Sequence, residues 1–389
     1  VLAAISRRYR ERENHISSDS WPIYISLQKD GILFKMRRTQ DLPDKESATM
    51  FFQDCKLAHQ AQITGISHSV KEILPPDLLD LTQLQKEANI RYGYTASEVY
   101  DIAQSLYEKK LISYPRTSSR YLTEDVFDSL SPIMARLLSW ELFPAAKGTG
   151  GIDISNLSRH VINAEKNNVH HAIIITGIRP GNLSEKEMQV YRLVAGRMLE
   201  TFMAPCRIET TNVEAVCAAQ HFKAEQTRII EAGWHDVFMR SDMVPKSGYS
   251  VNELPEVEKS DTLNVCGCNM VHKKQMPVNP FTDAELVEYM EQNGLGTVSS
   301  RTNIIRTLVN RKYIRYSGKY IVPTPKGMFT YETIRGKKIA DTSLTADWEK
   351  QLAGLESGMI TGQDFLNRIR TLAKEMTDDI FNTYSTKEE

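Results

Sequence analysis

Cysteine is scarce in this chain, and what there is does not pair by spacing. Cys55, Cys206, Cys217, Cys266 and Cys268 are the five in 389 residues, with no C-x-x-C among them. The C-x-C at 266–268 has no second ligand pair, which argues against zinc and against a disulfide scaffold and suits a reducing cytoplasm. No apolar run is long enough for a transmembrane helix and no signal-peptide pattern is present, so no membrane partner is expected. An excess of one charge is missing too: 48 Lys and Arg against 49 Asp and Glu leave a net charge of −1. Nothing global demands nucleic acid, and any such contact must come from local patches. Val1 is not a natural start, and the chain reads as beginning mid-protein. Its length is roughly two to three times that of a typical domain, enough for several cores.

The pattern along the chain changes character more than once. Residues 21–36 alternate apolar and polar (Ile23, Ile25, Leu27, then Ile32, Phe34, Met36) around Asp30-Gly31, which predicts a hairpin. Residues 206–267 are strand-like, with Ile208, Val213, Ala215, Leu263 and Val265. Between these lies a helical block, about 78–202. Thr95-Ala-Ser-Glu98 is a capping box before Val99, Ile102 and Leu106, and Ser184-Glu-Lys-Glu187 another before Tyr191, Val194 and Met198. The glycine-rich stretch 148–151 reads as a surface loop. After about residue 272 helices return. Thr282-Asp-Ala-Glu285 caps one that Gly294 ends, and Ser299 or Ser300 begins the next. Tyr316–Ile321 then forms a hairpin, giving the order of a winged helix-turn-helix. In a last helix near 362–382, Phe365, Ile369, Leu372 and Met376 make a stripe most simply read as core. A faint repeat aligns Leu106–Tyr114 with Leu308–Tyr316 without a gap, suggesting two related units.

The run Leu111-Ile-Ser-Tyr-Pro-Arg-Thr-Ser-Ser-Arg120 carries the most chemistry. Tyrosine is a poor nucleophile at its free pKa and attacks phosphorus only when set beside positive charge. Arg116, two residues beyond Tyr114 and fixed by Pro115, can neutralise a phosphate oxygen as charge builds there. Taken alone, Tyr114 is one of sixteen tyrosines, most of them packing residues. A second signal is basic: from Gly294 to Ile321 there are Arg301, Arg306, Arg311, Lys312, Arg315 and Lys319 and no acidic residue, enough to track a phosphate backbone. For Arg306 and Arg315 a solvated basic face is a realistic alternative.

The text around Tyr114 raises its odds. Glu108–Leu122 resembles the active-site segment of type IA DNA topoisomerases, the topoisomerase III branch in particular. Leu74–Leu78 with Asp80–Ala88, His170–Ile174, Glu231–Trp234, Phe281–Leu286, Gly294–Thr297 and Leu344–Glu349 resemble further motifs of that family in the same order. One such match is weak, and seven collinear ones are strong. The resemblance implies an α+β multidomain fold, a toroidal core with two winged-helix-like domains and a β-rich arch. It places an N-terminal helix of the DNA-binding domain at 1–18, the arch at 19–77 and 203–272, a catalytic tyrosine domain at 78–202 and the DNA-binding domain at 273–389. Glu231–Trp234 is expected as a barrel strand.

The implied activity is ATP-independent cleavage of single-stranded DNA through a 5′-phosphotyrosine, strand passage and religation. Tyr114 is then the nucleophile, and Arg116 and His170 stabilise the phosphate. Thr117, Ser119, Ser300, Arg301, Arg311 and Lys312 are expected DNA contacts. Departures limit the carry-over. Ser118 stands where Asp is common, His171 where Glu or His is found, and Val298 replaces a Glu. The family's Toprim domain, which holds Mg²⁺ and places a lysine near the leaving oxygen, has no counterpart here, so the chain reads as a Toprim-less fragment. It is expected to bind single strands without completing catalysis. Expected partners are single-stranded DNA, the protein's own Toprim domain and a helicase, in the cytoplasm near the nucleoid. Two rivals remain: a non-catalytic winged-helix protein, in which Tyr114 has no role, and a tyrosine recombinase, which forms the opposite 3′ linkage and whose Arg-His-x-x-Arg set is not visible.

Overall fold

The computed structural model describes residues 1–140, 142–143, 152–163, 170–238 and 246–385. In chain order its elements are α1 (Leu2–Glu13), β1 (Asp19–Ser20), β2 (Ile23–Lys29), β3 (Ile32–Arg38), α2 (Lys45–Leu57) and β4 (Gln60–Ile73). A helical stretch follows: α3 (Leu81–Tyr92), α4 (Ala96–Glu108), α5 (Glu124–Asp128), α6 (Leu130–Ser139) and α7 (Glu185–Phe202). Then come β5 (Cys206–Cys217), β6 (Gln220–Glu231), β7 (Thr262–Met270) and β8 (Lys273–Lys274). The last part holds α8 (Asp283–Gln292), α9 (Val298–Asn310), β9 (Ile314–Ser317), β10 (Tyr320–Pro323), α10 (Pro325–Ile334), α11 (Thr342–Glu356) and α12 (Gly362–Ser385).

Six strands close a barrel in the order β2-β3-β6-β5-β4-β7. The alternation at 21–36 becomes β2 and β3, joined at Asp30 and Gly31 with φ of 52° and 81°. That left-handed pair is what a two-residue hairpin turn requires, and Asp-Gly adopts it readily. Ile23, Ile25, Leu27, Phe34, Met36, Ile63, Val213, Ala215 and Phe222 fill the interior, and α2 adds Cys55. Glu231–Trp234 departs from the expected strand. β6 stops at Glu231, and Gly233–Val237 is a 3₁₀ turn that buries Trp234, whose Nε1 donates to the Ile73 carbonyl at 2.9 Å. Gly233 has φ +51°, and a Cβ there would meet the Ala204 and Pro205 carbonyl oxygens, so the chain turns back where only glycine fits.

A second core unites α3, α4, α6 and α7 with the extended segments around Ile112 and Ile173–Ile175. The capping boxes expected at Thr95, Ser184 and Thr282 all form, because each places its Glu side chain back on the cap amide. A third core joins Ile5 of α1 to Leu286, Val287, Met290, Ile305, Ile314 and Ile321, bringing the first helix onto the C-terminal part. α9 begins at Val298 behind a Thr297 cap, slightly earlier than expected. The stripe Phe365, Ile369, Leu372 and Met376 on α12 is only half-buried and is not a core. The 148–151 loop lies outside the described residues. Among the described residues no helix is long and apolar enough to cross a membrane.

Candidate functional site

The faint repeat has a full hydrogen-bonded counterpart, and that duplication builds the site. Residues 79–114 correspond without a gap to 281–316: Thr95 and Thr297 both cap a helix, and Lys110 and Lys312 both follow its end with φ near 60°. Leu111 N–H donates to the Leu106 carbonyl, and at the equivalent place downstream Tyr313 N–H donates to the Leu308 carbonyl. In the second unit the return strand brings Ile321 to Phe281 and Thr324 to Tyr313. In the first, Ile173 meets Leu79 and Thr176 meets Leu111 in the same way, although much more chain intervenes between Tyr114 and Ile173 than between Tyr316 and Ile321. Thr176 Oγ1 donates to the Lys110 carbonyl at 2.7 Å, as Thr324 Oγ1 does to Lys312.

The two equivalent tyrosines have opposite environments. Tyr316 donates its hydroxyl to Asp283 Oδ1 at 3.1 Å, and burial, with the Asp283 carboxyl beside it, pushes its pKa far up. The residue corresponding to Asp283 in the first unit is Leu81, which offers no acceptor. Tyr114 instead lies between two rings: Tyr107 edge-on at 5.3 Å and the exposed His170 at 4.4 Å. Ser113 anchors the segment beneath it, its N–H donating to Ile174 O and its hydroxyl to Ala172 O. The structure therefore brings Tyr114, Arg116 and His170 together.

Arg116 projects back over α4. Its guanidinium lies 5.0 Å from the Tyr100 ring, Nη2 donates to Gln104 Oε1 at 3.4 Å, and the buried Nε has no partner. It faces no carboxylate among the described ion pairs. Arg120, by contrast, is held by Asp80 at 2.7 Å and Glu291 at 3.8 Å. Tyr100, Gln104 and Tyr107 were not singled out by the sequence reading, yet their spacing puts all three on one face of α4. That periodicity was the available signal.

Other expected contacts are placed differently. Thr117 is buried, with Oγ1 donating to the His170 carbonyl at 2.9 Å and accepting from Ser119 N–H; Ser119 is buried and bonds Tyr121. These hydroxyls shape the turn rather than stand open to a phosphate. Arg301 is 8% exposed, donating to Thr82 Oγ1 and Gly296 O with Glu291 at 3.4 Å, so it joins the two units instead of lining a basic surface. Ser300 Oγ serves the Thr297 cap. Arg306, read as a solvated cation, is paired with Asp101 of α4 at 2.8 Å. Arg311 and Lys312 are exposed at the far end of α9, about 20 Å from its start by helix rise.

Between the units lies a cleft of about 370 Å³, lined by Arg116, Thr117, Ser118 and His170 on one side and by Thr297, Val298, Ser299 and Arg301 on the other. The first turn of α9 faces this cleft from the side opposite Arg116, with the Thr297 N–H taken up by Ser300 Oγ. Among the described residues no three His, Cys, Asp or Glu side chains converge as metal ligands.

A six-stranded barrel joined to a duplicated helical unit is the fold of a DNA topoisomerase. The full-length topoisomerase I of Thermotoga maritima superposes with a TM-score of 0.74 at 22% identity, over 96% of this chain and 61% of that one. The family model described as DNA topoisomerase matches residues 1–367. The chain belongs to that family, as a type IA topoisomerase. It is 31% identical to DNA topoisomerase 3 of Bacillus licheniformis over 82% of this chain and 47% of the relative. With DNA topoisomerase 1 of Methanocaldococcus jannaschii it shares 30% over 100% of this chain and 49% of the relative. The chain thus spans about half the length of these curated relatives.

Proposed function

We propose that this chain supplies the strand-cleaving tyrosine and part of the single-strand binding surface of an ATP-independent topoisomerase. Tyr114 Oη attacks a backbone phosphorus, the P–O3′ bond breaks, and the products are a 5′-phosphotyrosine and a 3′-hydroxyl. The phenol proton is lost as the bond forms, and the leaving 3′-oxygen takes one up. Arg116, the exposed His170 and the start of α9 surround the phosphate and stabilise its developing charge. Religation is the reverse attack by the 3′-hydroxyl. Arg311 and Lys312, one helix length away, hold the strand by its backbone. In this reading the two repeated units are winged-helix-like domains, the barrel forms the arch, and Mg²⁺ and the leaving-group acid belong to a Toprim domain of the whole protein.

The observation that carries the reading is the difference between the two repeated tyrosines: Tyr316 donates to Asp283, and Tyr114 lies between Tyr107 and His170, the latter lining a cleft with Arg116, which has no carboxylate partner among the described ion pairs. In the full-length protein, Tyr114→Phe abolishes the covalent adduct with a single-stranded oligonucleotide while leaving binding almost intact, and Tyr316→Phe preserves the adduct. A 3′-end-labelled strand becomes protein-linked and a 5′-end-labelled one is released. Adduct formation by Tyr114→Phe, or linkage through the 3′ end, overturns the assignment.

A further inference from the structure

Three of the five cysteines meet inside the barrel, and a break in strand register puts the third one there. Residues two apart on a strand share a face, so Cys266 and Cys268 should point the same way. They do not, because β2 pairs Ser26 with Gly267 but Leu27 with Val265, leaving Cys266 as a bulged residue. Before the bulge Leu263 and Val265 face the core; after it Cys268 and Met270 do. Cys266 is left exposed, and Cys268 turns inward, half-buried against α2 with its Sγ 4.0 Å from the Phe52 carbonyl. Cys55 lies one turn further along that helix, fully buried, and Cys217 is buried beside it.

The thiols form a series with Cys55 in the middle, interacting with Cys217 on one side and Cys268 on the other. The bond with Cys217 favours the Cys55 thiolate, but that with Cys268 and burial outweigh it and bring the Cys55 pKa to about 11. The hydrogen bond to Cys55, then burial, raises Cys217. Cys268 moves the other way: the hydrogen bond with Cys55 lowers it against the effect of burial. Cys268, half-buried where Cys55 and Cys217 are fully buried, is the sulfur of the three that a solute reaches first. Three sulfurs could suggest a soft metal, but among the described residues no such ligand set forms.

We propose that Cys268 and Cys55 are a peroxide-responsive dithiol, with Cys268 the sulfur that is oxidised and Cys55 the one that resolves it. The Cys268 thiolate attacks the peroxide O–O bond, giving a sulfenic acid and releasing alcohol or water. The Cys55 sulfur then attacks the Cys268 sulfur: the S–S bond forms, the S–O bond breaks, and the hydroxyl leaves as water with the Cys55 proton. Two thiols are oxidised by two electrons and one peroxide is reduced. The product fastens α2 to β7.

The test is peptide mapping of the chain after brief treatment with hydrogen peroxide, without reductant. The expected result is one peptide pair linking Cys55 to Cys268, a loss of two titratable thiols from the five after denaturation, and reversal by dithiothreitol. Cys266→Ala leaves the link unchanged and Cys268→Ala removes it. Because Cys268→Ala could disturb the barrel, the unmutated chain is also oxidised in urea, where the link should form at least ~10-fold more slowly because the positioning is lost. Oxidation confined to Cys266, irreversible oxidation of Cys268 with no linked peptide, or equal rates in native and unfolded chains would each overturn the proposal.

Discussion

Arg116 allows the sharpest quantitative test, because its surroundings separate what its charge does from what holds it in place. Among the described residues its guanidinium has no carboxylate partner, an unbonded Nε, a ring 5.0 Å away and one amide contact at 3.4 Å. If the charge stabilises the phosphate as Tyr114 attacks, Arg116→Ala removes one such group and costs about 3 kcal/mol, roughly a hundredfold in the cleavage rate. The contacts that hold it are worth much less. Tyr100→Leu removes a partly exposed cation–π contact of ~0.5–1 kcal/mol, a loss of about two- to fivefold. Gln104→Ala breaks a bond already at the long limit and should change the rate by no more than about twofold. The assay is single-turnover cleavage of a labelled single strand by the full-length enzyme at saturating protein, so that binding does not enter. The expected order is Arg116→Ala far below Tyr100→Leu, with Gln104→Ala near the parent. A loss under about threefold for Arg116→Ala, or equal losses for Arg116→Ala and Tyr100→Leu, would mean that the arginine packs the turn and does not meet the phosphate.

The contact between the repeated units is testable through Asp283, which accepts from Ala96 N–H and Tyr316 hydroxyl, both at 3.1 Å, in a site 2% exposed. Asp283→Ala leaves two buried donors unmet and should cost about 2–6 kcal/mol, read as faster amide exchange in the first turn of α4; a cost below about 1 kcal/mol refutes the account. Glu187 is held at a pKa of about 2, from an ordinary 4.5, first by the Lys109 hydrogen bond and then by Ser105 and the Ser184 amide. Its folded pKa is depressed, so its contribution is present above about pH 4.5 and fades as the pH falls toward 2. Glu187→Gln should lower the melting temperature above that window, by up to ~1 kcal/mol in stability, and converge on the parent below it; a constant difference at all pH values refutes this. Arg311→Ala should weaken single-strand binding and reduce its logarithmic salt slope by about 0.7, the loss of one phosphate contact. An unchanged slope returns Arg311 to a solvated surface.

Sequence alone determined the features that depend on near neighbours. Asp30-Gly31 specified its hairpin because few residue pairs tolerate two left-handed conformations in succession. Thr95, Ser184 and Thr282 each opened a helix because a hydroxyl and a Glu three residues later satisfy the same free amides. The matching ends of α4 and α9 were visible as aligned residues before any hydrogen bond was known. Tertiary structure decided which of the polar residues were free. Arg301 read as a backbone-tracking cation and Arg306 as a solvated one until Glu291 and Asp101, brought beside them by the fold, proved to be their partners. Thr117 and Ser119 are consumed by a turn whose return strand begins near Ile173. The residues after Tyr114 already set it apart from Tyr316, but only the fold showed that Tyr316 donates to Asp283 whereas Tyr114 lies between Tyr107 and His170. Cys268 is the clearest case. Strand alternation assigned it to the face of Cys266, and one bulge set by pairing with a strand more than two hundred residues earlier turned it inward. Short-range preferences fix turns and caps because their partners lie within a few residues, whereas a side chain's charge compensation and facing depend on long-range pairing that the local sequence does not encode.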